Sequence, residues 1–395
     1  MEGIKCPGFK AAGVVAGLKK DGRKDVGIIF SEVPATIAGV FTKNKVTAAC
    51  VRLCKERVQS GNAQAIIANS GNANCCTGEN GMQDTMKMSK LVSEGLDLPE
   101  EDVFVASTGV IGVPLPVDKI KSAMPDLIGS LSENGFFDFA ESIMTTDTVR
   151  KIINRQGIIG GKPFTITGIA KGSGMIRPDM ATMLCFVCSD VEAAPDKLHA
   201  MLASSVDDTF NQITVDGDTS TNDMVLLMAN GLSNVELNTA SDMEVFQNEL
   251  DVILKSLARE IVKDGEGATK LVEIEVKGAL SDRDARLVAD TVANSNLVKT
   301  ALFGQDANWG RIIAAVGRAG VDIDQDKVDI CFDGVETVSG GALSGNVSAE
   351  YEATKVLEKS EFTITIDLHI GKGNASVLTC DFSVEYVKIN ADYRT

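Results

Sequence analysis

The sequence predicts an α/β protein, and two observations carry that reading. Short apolar runs bounded by turn residues alternate along the chain with stretches whose apolar residues recur at helical spacing. The length, 395 residues, exceeds what one hydrophobic core ordinarily serves, so two packed domains, or one domain with a large appendage, are expected. Hydrophobic residues at 44% and charged residues at 24% are ordinary for a soluble globular chain.

In order along the chain, residues 26–30, 65–68 and 102–106 read as strands, each an apolar run ended by turn residues. Residues 82–96 carry Met82, Met86 and Leu91 at helical spacing. Residues 116–131 and 195–210 read as helices with a proline near the first turn. Residues 152–169 read as a hairpin turning at Gly160-Gly161-Lys162-Pro163. A long helix is expected over 243–262, stopped by Gly265-Glu266-Gly267, then a strand over 271–276 and helices from Asp282 and Trp309. Residues 362–387 show a mostly alternating strand pattern. The domain boundary is placed near 270–280, giving a larger domain 1–275 and a smaller C-terminal α/β domain 276–395.

The formal charge of −17 argues against a nucleic-acid partner, which would require a basic footprint. No apolar stretch reaches bilayer length, and the N-terminus has neither signal-peptide nor transit-peptide character. No membrane association is expected, and the expected location is the cytoplasm. Nine cysteines in such a chain are expected to be reduced thiols. Cys185 and Cys188 form a C-x-x-C spacing, but inside an apolar strand that offset puts them on opposite faces. Packing is therefore the preferred reading over a metal or redox site.

Only two histidines occur, His199 in an expected helix and His369 in an expected strand. Neither stands beside a nucleophile pattern, and phosphate-loop, dinucleotide and H-E-x-x-H motifs are absent. A chain rich in Gly, Thr and Asn but poor in His suggests a nucleophile that brings its own base. A threonine at a newly made N-terminus does so, because an α-amine with a pKa of about 7.7–8.0 can accept the hydroxyl proton near neutral pH.

The segment Lys171-Gly172-Ser173-Gly174-Met175-Ile176-Arg177-Pro178-Asp179-Met180-Ala181-Thr182-Met183-Leu184 reads on pattern alone as a Gly loop and a Pro turn entering a buried strand. It also closely resembles the processing site of the ornithine acetyltransferases, the bifunctional glutamate N-acetyltransferases of arginine biosynthesis. Further segments resemble that family in order along nearly the whole chain. They are Asn69-Ser70-Gly71-Asn72-Ala73-Asn74, Ser107-Thr108-Gly109-Val110-Ile111-Gly112, Met144-Thr145-Thr146-Asp147-Thr148, Gly217-Asp218-Thr219-Ser220-Thr221-Asn222-Asp223, Asp264-Gly265-Glu266-Gly267-Ala268-Thr269-Lys270, Asn308-Trp309-Gly310-Arg311 and Asn390-Ala391-Asp392-Tyr393-Arg394-Thr395. Asp179 departs from the asparagine frequent in the family.

The resemblance implies self-cleavage between Ala181 and Thr182, giving an α chain 1–181 and a β chain 182–395, associated as an α2β2 heterotetramer. It implies a layered αββα-type sandwich of the N-terminal-nucleophile kind with the smaller α/β domain appended. Thr182 would be the nucleophile, and Thr108 with Gly109 the oxyanion hole; on pattern alone those two are an ordinary strand-to-loop turn. Thr148, Lys171, Thr182, Glu266, Asn390 and Thr395 match substrate-binding positions. Lys171 suits an α-carboxylate and Glu266 the ornithine ammonium, although either charge alone reads as a solvated surface group.

The implied reaction is ping-pong acetyl transfer from N2-acetyl-L-ornithine to L-glutamate. No metal or organic cofactor is implied, with acetyl-CoA a second donor in bifunctional members. Two other classes stay open at this point: a self-processing threonine aminopeptidase or amidohydrolase of related architecture, and a binding protein that kept the fold but lost cleavage.

Overall fold

A computed structural model describes residues 4–177 and 183–392. The protein is a mixed α/β molecule with two sheets, as the alternating pattern predicts. It divides into two compact units. The first is Met1–Asn211 with Asp218–Ile261, and the second Gln212–Gly217 with Val262–Thr395.

The first unit is built on an eight-stranded sheet. Its strands are β1 (Phe9–Val14), β2 (Val26–Phe41), β3 (Asn62–Asn69), β4 (Val103–Ser107), β5 (Lys151–Ile159), β6 (Lys162–Lys171), β7 (Leu184–Ser189) and β8 (Met224–Ala229). They run in the order β4-β3-β2-β8-β7-β6-β5, with β1 beside the first part of β2. β3 with β4 and β7 with β8 are parallel pairs.

The sequence reading ends a strand at Phe30, but β2 runs on to Phe41, 16 residues in all. The strand passes through Glu32-Val33-Pro34 with a register shift against β3 between Phe30 and Ala35. Such an irregularity bends a strand without ending it. The first part of β2 therefore pairs with β1 and β3, and the second part with β8. β7 and β8 are buried at every residue, as expected of strands written as continuous apolar runs.

Helices α1 (Ala49–Arg57), α2 (Gly78–Leu96), α3 (Val117–Gly129), α4 (Phe136–Ile143), α5 (Pro195–Asp207) and α6 (Ala240–Lys263) accompany these strands. α2 buries Met88 and Val92, one helical turn apart. α5 starts on Pro195, where the missing N–H costs nothing. α6 packs on β6 at Gly168, where a Cβ would lie 2.6 Å from Ile253 and 2.9 Å from Leu257. The β5–β6 hairpin turns on only two residues. Gly160 and Gly161 have φ of 58° and 79°, the geometry that joins two twisted strands directly, and Lys162 and Pro163 already belong to β6.

The second unit holds a six-stranded sheet. β9 (Leu271–Ala279), β10 (Asp329–Phe332), β11 (Val335–Ser339), β12 (Ala342–Leu343), β13 (Glu361–Asp367) and β14 (Gly373–Cys380) run in the order β12-β11-β10-β13-β9-β14. Its helices are α7 (Asp282–Ala293), α8 (Asn296–Phe303), α9 (Trp309–Gly317), α10 (Ala349–Leu357) and α11 (Val384–Ala391). α7 is capped by Ser281, whose hydroxyl accepts from the Asp284 N–H, and buries Ala285, Val288, Ala289 and Val292.

Residues 362–387 are mostly strand, in β13 and β14, but from Val384 they belong to α11, which Ser383 caps by accepting from the Tyr386 N–H. One expectation is corrected here. His369 is not in a strand; it sits between β13 and β14 with φ of 51°. No described helix is long and apolar enough to cross a membrane.

Candidate active site

The parallel pairing of β3 and β4 brings their C-terminal ends side by side, with Asn69 opposite Ser107. Beyond that rung both chains turn, and side-chain amides replace the ladder. Ser107 Oγ donates to Asn69 Oδ1 at 2.7 Å, and Asn69 Nδ2 donates to the Asn72 carbonyl at 2.9 Å. Thr108 N–H donates to the Asn69 carbonyl at 3.0 Å. From the loop before β8, Asn222 Nδ2 reaches both the Ala73 carbonyl at 2.7 Å and the Ser107 carbonyl at 2.8 Å. The Thr108–Gly109 turn is thereby fixed by two other segments of the first unit. Gly109 has φ of 132°, a conformation that disfavours any side chain. Thr108 is buried. No hydrogen bond among the described residues engages its hydroxyl or the Gly109 N–H. Two donors are thus held on a rigid turn with capacity to spare.

Lys171 ends β6, opposite Leu184 at the start of β7. It is only 2% exposed, so the solvated-charge reading fails. Its Nζ donates to Thr145 Oγ1 at 2.8 Å and lies 3.8 Å from Asp147 Oδ2. Asp147, also buried, accepts from Lys151 Nζ at 2.8 Å, from the Gly172 N–H at 2.6 Å and from the Thr145 N–H at 3.0 Å. Burial pushes the Asp147 carboxyl up, but Lys171, Lys151 and these hydrogen bonds outweigh it and hold the group well below the usual carboxylate range. Thr146 and Ser173 hydroxyls meet at 2.7 Å, joining the same two loops. Thr148 follows directly and lines an open cleft of about 740 Å³ with Arg23, Met144 and Arg150.

Ala181, Thr182 and Asp179 lie outside the described residues. The first described residue after them is Met183, whose N–H donates to Asp223 Oδ1 at 2.9 Å. Asp223 is fully buried at the head of β8.

In the second unit, Asn390 Nδ2 donates to Glu266 Oε2 at 2.7 Å and to the Tyr386 carbonyl at 3.1 Å. Glu266 is 8% exposed, so its carboxylate too is no simple surface charge. The turn that carries it meets α11 closely. Gly267 has φ of 67°, a Cβ there would lie 2.6 Å from Tyr386 N, and its carbonyl accepts from Ser383 Oγ at 2.7 Å. Thr395 lies outside the described residues.

The remaining sequence candidates are structural. Cys185 and Cys188 are fully buried in β7, and burial pushes both thiols well up. His369 meets Asp329 at 2.6 Å on the exposed side of the second sheet, and that hydrogen bond raises its pKa. Among the described residues no group of three or more His, Cys, Asp or Glu could hold a metal ion. Sequence reasoning assigned no role to Asp147, Lys151, Asn222 or Asp223. All but Lys151 stand inside motifs it singled out, and the missing signal was the burial of an acid or amide in a Thr- and Gly-rich loop.

Residues 10–395 match the family model described as "ArgJ family". The chain is 52% identical over 390 residues to the arginine biosynthesis bifunctional protein ArgJ of Geobacter sulfurreducens, covering 98% of this chain and 99% of the relative. It is 50% identical over 394 residues to the protein of the same name from Syntrophotalea carbinolica, covering 99% and 100%. Among solved structures, the crystal structure of the arginine biosynthesis bifunctional protein argJ from Bacillus halodurans is 44% identical with a TM-score of 0.50, covering 52% of this chain and 97% of that one. With a family match over nearly its full length and half its residues shared with such relatives, the chain belongs to the ArgJ family.

Proposed function

We propose that this chain is a self-processing glutamate N-acetyltransferase of arginine biosynthesis. It cleaves its own Ala181–Thr182 bond and then uses Thr182 to move an acetyl group from N2-acetyl-L-ornithine to L-glutamate. The observation that carries the reading is the Thr108–Gly109 turn, with a hydroxyl and an N–H that no other described group engages. Acyl transfer places negative charge on the carbonyl oxygen in its tetrahedral states, and fixed donors aimed at that charge are the largest ordinary source of rate. A turn held by Asn69 and Asn222, with no room for a side chain at Gly109, is suited to that task.

The freed amine of Thr182 takes the hydroxyl proton as Oγ attacks the acetyl carbonyl of acetylornithine. Thr108 and Gly109 hold the oxyanion, the Thr182 amine passes that proton to the α-nitrogen as ornithine leaves, and an acetyl ester remains on Thr182. Glutamate then enters the vacated site and its amine takes the acetyl group. Both amino acids share an α-carboxylate, which is the proposed partner of Lys171. Buried beside Asp147 and Lys151, that ammonium can be aimed without solvent competing for it. Glu266, held by Asn390, is the proposed partner of the ornithine ammonium, and Thr148 and Thr395 complete the substrate contacts. The chemistry is acyl exchange and needs no metal or organic cofactor. The relatives are named bifunctional, which supports acetyl-CoA as a second acetyl donor. The Bacillus halodurans chain aligns over nearly all its length yet spans only 52% of this one, the size of residues 182–395. That supports two mature chains, which we place in an α2β2 assembly in the cytoplasm.

The test is a direct assay of purified protein with acetylornithine and glutamate. N-acetylglutamate and ornithine should appear together and in equal amounts. Ornithine and acetate released at a rate indifferent to glutamate would make the protein a hydrolase.

A further inference from the structure

Asp223 has no part in the mechanism so far, yet this buried acid is hydrogen-bonded to Met183, the residue that follows the bond that must be cut. It stands at the head of β8, whose Met224 pairs with Leu184 of β7. One rung earlier, Asp223 Oδ1 accepts the Met183 N–H at 2.9 Å, and Met224 N–H donates to the Met183 carbonyl at 3.3 Å. The scissile nitrogen belongs to Thr182 and is three covalent bonds from Met183 N, at most about 3.6 Å away. The carboxyl is therefore clamped within one residue of the reacting atoms. Its other oxygen, Oδ2, is fully buried and has no hydrogen-bond partner among the described residues. A carboxylate so placed would be costly in the interior, its burial only partly offset by Ser220 and Lys171, whereas a carboxylic acid carries a proton to donate. Burial pushes the Asp223 pKa well up, with the Met183 N–H, Ser220 and Lys171 opposing. From the neighbouring strands it faces the uncharged Thr42, whose N–H donates to the Asp223 carbonyl, and Met183. The charge that reaches it is Lys171 at the end of β6.

We propose that Asp223 is the acid that protonates the leaving nitrogen during self-cleavage. The inference rests on the reading that the chain cuts itself before Thr182. The step balances as follows. Thr182 Oγ bonds to the Ala181 carbonyl carbon and releases its proton to solvent. Asp223 Oδ2–H gives its proton to the Thr182 nitrogen as the Ala181 C–N bond breaks, leaving an ester and a free amine. The Asp223 carboxylate then regains a proton from solvent. Water hydrolyses the ester, giving the Ala181 carboxylate, the Thr182 hydroxyl and one proton.

The experiment follows the full-length precursor from cell-free translation, with the fraction cut read on denaturing gels over time and across pH. Wild type should cut, and its rate should fall on the alkaline side as Asp223 gives up its proton. Asp223→Asn keeps the shape and the Met183 contact but is no acid; it should cut about a hundredfold more slowly or worse, while melting like the uncut Thr182→Ala precursor. Formate should speed the cutting of Asp223→Ala. Cleavage of Asp223→Asn within threefold of wild type overturns the proposal. If Asp223→Asn fails to fold, the wild-type profile decides: a rate that stays flat or rises into the alkaline range overturns it. A wild type that never cuts overturns both this inference and the functional reading beneath it.

Discussion

Gly109 and Gly71 approach so closely that a Cβ on Gly109 would lie 2.4 Å from the Gly71 carbonyl carbon and 2.5 Å from Asn72 N. With φ of 132° at Gly109, both the conformation and the space exclude a side chain. Gly109→Ala must therefore shift the turn away from β3. We predict a loss of kcat of at least about tenfold and a stability loss of about 1–3 kcal/mol, read by steady-state kinetics and urea melts. Wild-type kcat in a well-folded variant would show that the turn carries no catalytic donor.

Thr108→Ala removes the hydroxyl and leaves the backbone bond to Asn69 in place. If the hydroxyl stabilises the oxyanion, kcat falls roughly ten- to a thousandfold with KM for acetylornithine nearly unchanged. A change confined to KM would assign Thr108 to substrate binding instead.

Asp147 is the carboxylate that two buried lysines share, so its loss removes a charge partner from both. Asp147→Asn should cost about 3–5 kcal/mol at neutral pH, the range for breaking a buried pair. The pH dependence has a definite sign. A carboxyl held below its unfolded value contributes stability that is fully present above the ordinary carboxylate range and is lost as pH falls through its folded pKa. Wild type should therefore weaken progressively from about pH 5 downward, and Asp147→Asn should show less of that acid loss. Urea melts across that range check both statements.

Glu266 should distinguish the two amino acids, because their side chains carry opposite charges. Glu266→Gln is expected to raise KM for acetylornithine more than KM for glutamate. Equal effects, or a larger loss for glutamate, would mean that this carboxylate does not read the ammonium.

Much of the first unit was legible because its strands are uninterrupted apolar runs and its helices carry apolar residues one turn apart, as in β3, β4 and α2. β2 was read short because its apolar run breaks at Ser31-Glu32, and only pairing on both flanks shows that the strand continues. Only the end of the 362–387 stretch escaped, because Tyr386 and Val387 continue an alternating pattern, while the Ser383 cap that starts a helix is a local hydrogen bond invisible to periodicity. At the site, residue types identified Thr108, Gly109 and Lys171 only through resemblance. Pattern alone made them a turn and a surface charge, because burial is a property of the folded chain. Asp147 and Asp223 escaped for the same reason: an acid in a Thr-rich loop looks solvated until its partners are known.

The central claim is an acetyl group carried on Thr182, and the mass of the chain 182–395 tests it most directly. The protein is incubated with acetylornithine and no glutamate, and both chains are weighed and their peptides mapped. The account predicts one added acetyl group on the 182–395 chain, located at Thr182, that leaves as N-acetylglutamate when glutamate is added. A chain that releases ornithine without ever gaining an acetyl group, or one whose acetyl departs as acetate before glutamate arrives, would contradict it.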